Sequence, residues 1–197
     1  MSSEAVSAVT DLGARRRNRR QEETVRKVLD AAVELLRENS YSDLTMRAVA
    51  ARAGVAPATA YTYFSSKNAL VAEAYLRLVR NVALFTDVNQ TTQQRVTAQL
   101  RELALLVADE PELAAAATTA LMGDEPEVRQ VRDKIGLEVR RRIASALGPG
   151  AWPDVLSTLE MIFYGALVQA GTQLVTYYQM ADRLDSVIAL IMEGAQW

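Results

Sequence analysis

An all-α fold is predicted by three observations on this chain of 197 residues. Apolar residues recur at three- and four-residue spacing in every long segment, no segment alternates as a half-buried strand does, and the stops between periodic runs are helix caps and breakers. The predicted organisation has three parts: a flexible basic arm over residues 1–20, a small three-helix unit over 21–66, and a helical body over 67–197. A chain of this length buries a substantial core, and no internal repeat points to a solenoid.

The first helix is expected over residues 21–38, with Val25, Val28, Leu29, Ala32, Val33 and Leu36 on one face. Asn39 is its stop, and Tyr41 is expected to pack against the bundle. Residues 44–70 then carry two short helices and the start of a longer one around a tight turn. Thr45 is placed as an N-cap, and Met46, Val49, Ala50 and Ala53 are the inward face. Gly54 supplies a left-handed stop. Pro57 suits the first turn of the next helix, where its missing N–H costs nothing, and Ala58, Thr59, Ala60, Tyr61, Thr62 and Tyr63 follow. Ser66 caps a further helix beginning at Lys67. Two short helices about a glycine turn form the layout of a DNA-reading helix-turn-helix, whose second helix enters the major groove.

The order of Thr45, Arg47, Ala50, Gly54, Val55, Thr59, Tyr61, Tyr63, Phe64 and Lys67 fits the pattern T-x-x-x-[IVL]-A-x-x-A-G-[VI] followed by Y-x-[YH]-F-x-x-K. In this the chain resembles the tetracycline-repressor (TetR) family of transcriptional regulators, over residues 22–75; beyond them only the all-helical architecture is similar. The resemblance implies a one-component regulator, a repressor in the first instance. It would bind a palindromic operator in double-stranded DNA as a homodimer and be released by a small ligand. It assigns Thr59, Tyr61 and Ala58 to base edges or the thymine methyl, and Thr45, Arg47, Tyr63 and Lys67 to phosphates. The chain departs from the family pattern in its reading helix, which starts Ala56, Pro57, Ala58 and has Ala60 where a larger aliphatic residue is usual; few and mostly apolar base contacts are expected. The motif also resembles regulators of lipid breakdown.

In the body a long helix over 67–85 is expected to join the two parts, burying Leu70, Val71, Ala74, Leu78 and Val82. Helices over 91–108, 112–122 and 127–147 follow, bounded by Asp109 to Pro111, Gly123 and a GPGAWP turn. Two more are expected over 154–179 and 182–193. From Met161 to Ala181 there is no charge, yet Gln169, Thr172, Gln173, Thr176 and Gln179 are too many polar groups for a lipid-facing span. The family resemblance implies that the last two helices pair with their copies in a second protomer. Gly165, Ala166, Ala170 and Gly171 would allow that close approach; packing inside one protomer is the other reading of the same residues. Around the small-sided segment PELAAAATTALM, Met122, Met161, Phe163 and Tyr164 are candidate walls of a ligand cavity or fill the core. An apolar or amphipathic effector suits such walls better than a metal.

The chain carries 22 Lys or Arg, 24 Asp or Glu, no His and no Cys. Disulfides, thiolate chemistry, the commonest general base and the usual zinc sites are thereby excluded, and neither a cofactor, a metal nor a catalytic constellation is expected. The charge is unevenly placed, +3 over residues 1–70 and −5 over the rest. Arg15, Arg16, Arg17, Arg19 and Arg20 crowd ahead of the first helix, where they lie along phosphates or form a solvated tail. If about five phosphates were neutralised per protomer, log K would fall with log salt by roughly 0.9 for each. Ser66 with Lys67 is read as a helix cap rather than an acyl-transfer pair, and Arg140, Arg141 and Arg142 as a solvated helix face. No secretory signal and no membrane association are expected, so the place predicted is the cytoplasm, on the nucleoid. A helical interaction protein that has lost DNA reading is the alternative function, and an enzyme the third.

Overall fold

The computed structural model describes the backbone of residues 3–149 and 153–194, and side chains from residue 18 onward within those limits. Nine α-helices and no strand are found among the described residues: α1 Ser3–Glu38, α2 Met46–Arg52, α3 Pro57–Tyr63, α4 Lys67–Asn81, α5 Thr92–Ala104, α6 Pro111–Leu121, α7 Pro126–Leu147, α8 Pro153–Gly171 and α9 Tyr177–Gly194. α1, α2 and α3 form the head, around buried Val28, Ala32, Leu36, Val49, Ala50, Ala60 and Phe64. α4 leaves the head and packs along α7, α6 and α1, while α5 packs on α9 and α7, so that one apolar core runs through both parts.

Several boundaries differ from expectation, each for a physical reason. The segment 1–20, expected as a flexible arm, is helical from Ser3 on as part of α1. It holds no proline and is rich in Ala and Arg, which favour helix. α4 stops at Asn81 rather than 85 because Arg142 of α7 donates to the carbonyls of Arg80 at 2.7 Å and Val82 at 3.0 Å, groups a helix end leaves unpaired. Arg142 is 1% exposed, which corrects the expectation of a solvated face for it. Arg140 and Arg141 do lie at the surface, paired with Glu160 and Glu138. α5 ends at Ala104 and the chain continues through successive turns to Pro111. Pro111, Pro126 and Pro153 are themselves the first residues of α6, α7 and α8, not the residues before them.

The largest difference lies in the uncharged run. A single helix over 154–179 was expected, but α8 ends at Gly171 and Gln173 adopts a left-handed φ of 61°. α9 then begins with a reciprocal cap: Gln179 N–H donates to Thr176 Oγ1 at 3.1 Å and Thr176 N–H to Gln179 Oε1 at 3.0 Å. No helix among the described residues is long and apolar enough to cross a membrane.

Candidate nucleic-acid interface and interior cavity

The helix-turn-helix is held by local bonds at each junction. Thr45 Oγ1 accepts the N–H of Ala48 at 3.1 Å, Gly54 takes φ 68°, and Ser66 Oγ accepts the N–H of Ala69 at 3.0 Å. α3 buries only Ala60 and has Pro57 in its first turn. Because Ala60 is 0% exposed, its small size governs how closely α3 sits on the head, not what it reads. Ala58, Tyr61 and Thr62 share an exposed face at three- and four-residue spacing, with Tyr61 55% exposed. Thr59 and Tyr63 are half-buried, and Tyr63 packs against the core. α3 carries no charged or amide side chain.

The two arginines of α2 differ. Arg52 is tied back to α1 through Glu38 at 2.7 Å and Glu34 at 3.4 Å, whereas Arg47 is exposed and makes no ion pair among the described residues. Lys67 is half-buried; its ammonium donates to the carbonyl of Tyr41 at 2.9 Å and lies 4.1 Å from the centre of that ring. Its first task is thus to hold the α1–α2 loop. Arg19 and Arg20 are exposed on α1; Arg15, Arg16 and Arg17 lie on the same helix, their side chains outside the described residues.

Two polar latches join head and body. Arg37 of α1 donates twice to the carboxylate of Glu110, at 2.7 and 2.8 Å, and this hydrogen bonding holds the Glu110 carboxyl below its usual range. Tyr41 donates to Asn68 Oδ1, and Asn68 Nδ2 donates to Glu125 Oε1 at 2.7 Å. Glu125 lies in the α6–α7 turn, where a β-carbon on Gly123 would come within 2.4 Å of Glu125 Oε2. The same turn is held from α7 by Arg132, which donates to the carbonyls of Leu121 at 2.7 Å and Gly123 at 3.0 Å.

Behind these latches lies a cavity of about 880 Å³. Its walls are mostly apolar, with Val79, Leu103, Val107, Ala117, Ile135 and Leu167 among them. Met122, Met161, Phe163 and Tyr164, singled out from the sequence, all line it. Phe163 is 1% exposed, whereas Met122 and Met161 are open to solvent at 68% and 73%. Sequence reasoning missed Tyr75, Thr118, Arg132 and Tyr177, which line the same space. Tyr75 fits the helical spacing of the buried face of α4, and that was the available signal.

The small residues of α8 separate on inspection. Ala170 is 4% exposed inside the protomer, and Gly171 sits so close to Thr118 that a β-carbon would be 2.9 Å from its Oγ1. Both pack within the protomer, the alternative reading of these two residues. Ala166 packs partly against the same core. Gly165 alone of the four stands exposed with open space before it, flanked on its face by exposed Met161, Tyr164 and Val168.

Residues 28–74, from the first helix into α4, match the bacterial regulatory proteins of the tetR family. The chain is 63% identical over 181 residues to the HTH-type transcriptional regulator Rv0767c of Mycobacterium tuberculosis, covering 91% of this chain and 85% of that one. It is 25% identical over 200 residues to the HTH-type transcriptional repressor KstR of Mycolicibacterium smegmatis, covering 98% and 96% of the two chains. Among solved structures, a TetR transcriptional regulator from Rhodococcus sp. RHA1 superposes with a TM-score of 0.76 at 22% identity, over 88% of this chain and 97% of the other. FadR from Bacillus subtilis, in complex with stearoyl-CoA, does so with a TM-score of 0.53 at 20% identity, over 86% and 98%. A match of 63% across most of both chains, joined to a helix-turn-helix built as described, makes this chain a member of the tetR family of bacterial regulatory proteins.

Proposed function

We propose that this regulator is a dimeric repressor whose hold on a palindromic operator is released when an apolar or amphipathic molecule fills the cavity. The observation that carries the reading is the double attachment of α4. At its first turn Lys67 and Asn68 hold the head, and farther along Tyr75 and Val79 line the cavity. A ligand that favours one placement of α4 over another therefore changes the fit of the head to its half-site, and by linkage DNA opposes that ligand equally. Repression as the sign is supported by the similarity to repressors named KstR.

In this proposal residues 21–66 form the DNA-binding unit and 67–197 the ligand and dimerisation unit. Ala58, Thr59 and Tyr61 meet the bases, while Thr45, Arg47, Tyr63 and Lys67 hold phosphates, Lys67 with the donors it does not give to Tyr41. The helical basic segment with Arg15, Arg16, Arg17, Arg19 and Arg20 adds sequence-independent attraction. The exposed strip Met161, Tyr164, Gly165 and Val168 meets its copy across a two-fold axis. Half-sites then lie about one helical turn, roughly 34–36 Å, apart. The protein works in the cytoplasm, on the nucleoid.

Selection of bound sequences from a random duplex pool at two salt concentrations tests the reading. A recovered palindrome whose affinity falls with salt is expected. Recovery of salt-sensitive background alone would remove it and favour the helical interaction protein, a reading the uncharged, alanine-bearing α3 keeps open.

A further inference from the structure

The cavity wall contains a tyrosine whose ring is buried and whose hydroxyl opens onto the cavity. Tyr75 is 8% exposed, yet its hydroxyl makes no hydrogen bond among the described residues, and it lines the cavity. A tyrosine hydroxyl that faces an apolar space with no protein partner keeps its donor available to an oxygen on whatever occupies that space. Burial, with the phenols of Tyr177 and Tyr164 close by, pushes its ionisation well above the ordinary range. It therefore remains a protonated donor at any physiological pH. Tyr164, Tyr177 and Thr118 place further hydroxyls in the same wall.

The charged groups of the wall are differently disposed. Arg132 gives its Nη1 to the carbonyls of Leu121 and Gly123, and Arg140 pairs with the carboxylate of Glu160. With Asp133 and Glu160 beside these two arginines, the lining carries as many acidic as basic groups and presents no net positive charge to the interior. A carboxylate taken into that space would lose hydration without a net positive lining to offset the loss. A neutral oxygen would lose little and gain the Tyr75 proton.

Building on the cavity as the effector site, we infer that its occupant is an uncharged, oxygen-bearing apolar molecule, a ketone or alcohol on a hydrocarbon skeleton, whose oxygen accepts a hydrogen bond from Tyr75. A free carboxylic acid of the same skeleton is discriminated against. Because Tyr75 belongs to α4, the bond bears directly on the helix that carries the head.

The test is titration calorimetry of the full chain with methyl decyl ketone, dodecanol and dodecanoate, in parallel with Tyr75→Phe, which keeps the ring and removes the hydroxyl. The ketone and alcohol should bind at least about tenfold more tightly than dodecanoate. Tyr75→Phe should weaken the ketone about three- to tenfold, as expected for one neutral hydrogen bond. The carbonyl stretch of the bound ketone, read by infrared spectroscopy, should shift to lower frequency in the wild type and return toward its value in hydrocarbon in Tyr75→Phe. Tightest binding by dodecanoate, an unshifted carbonyl, equal affinities for both proteins, or no binding by any of the three overturns the inference. Operator binding by the unliganded chain, measured alongside, belongs to the regulator proposal and survives each of those failures.

Discussion

Tyr61 on α3 is 55% exposed and Tyr75 on α4 is 8% exposed, and neither hydroxyl has a partner among the described residues. The first stands on a short helix that presents methyl and hydroxyl groups outward. The second faces a space lined chiefly by α4, α6, α7 and α8. In the head, the proposed recognition is chemistry displayed on a surface and held by local geometry at Thr45, Gly54 and Ser66. In the body the proposed recognition is chemistry lining a space between helices. A motif can announce the first kind because residue order and local geometry coincide; the second exists only when distant helices have been brought together.

Substitutions can pull these two kinds of site apart, and the largest effect is expected in the body. Arg142→Met removes the group that holds the end of α4 and leaves the carbonyls of Arg80 and Val82 and the carboxylate of Glu138 without it. Removing one partner from a buried charged network costs about 3–5 kcal/mol, read as a lowered denaturation midpoint. An unchanged midpoint would mean that α4 is anchored elsewhere.

On the head, Tyr61→Ala and Arg47→Ala should each weaken a selected operator by about 1–3 kcal/mol, roughly tenfold to a hundredfold. They should differ in kind. Tyr61→Ala changes which base is preferred, whereas Arg47→Ala weakens all sequences alike and lowers the salt slope by about 0.9. If Arg47→Ala relaxes base preference instead, the arginine reads the groove.

A smaller effect isolates the apolar character of α3. Replacing thymine by uracil under Ala58 or Thr59 removes one methyl group, and about 0.8 kcal/mol, close to fourfold in affinity, should go with each contact. An operator indifferent to uracil would assign its recognition to hydroxyls or to DNA shape.

The smallest effect concerns the latch between Arg37 and Glu110, which is partly exposed at 53% and 29%. Arg37→Ala should cost no more than about 0.5 kcal/mol after allowance for solvent screening. Glu110 is held below its usual carboxyl range by Arg37, so the contribution is present above the unfolded-state value. It is lost only as pH falls through the depressed folded value. Stability lost between pH 8 and 6 in the wild type but not in Arg37→Ala would contradict this sign.

The helix-turn-helix was legible because Thr45, Gly54, Pro57 and Ser66 each declare a local geometry that the others require. The break after Gly171 was equally written, in the Thr176–Gln179 cap, but the long uncharged run around it masked a signal of the same form as Thr91–Gln94. Arg142 was not legible at all, since three adjacent arginines look alike until the end of α4 selects one. The same holds for Ala170 and Gly171, whose smallness suits Thr118 of the same protomer as well as a second copy. Tyr75 sat in plain view on the apolar face of α4; what no periodicity expresses is that space was left beside it.

Gly123 carries a consequence for genetics. A methyl group at this position would be crowded by Glu125 Oε2 at 2.4 Å, and the movable end of that side chain is the part that gives way. Displacing it takes Glu125 from Asn68, the residue that receives the Tyr41 hydroxyl, and so loosens one of the two latches in a turn next to Met122 of the cavity wall. For the proposed regulator, Gly123→Ala is thus expected to be an uncoupling allele, one that still binds a selected operator but answers more weakly to a molecule in the cavity.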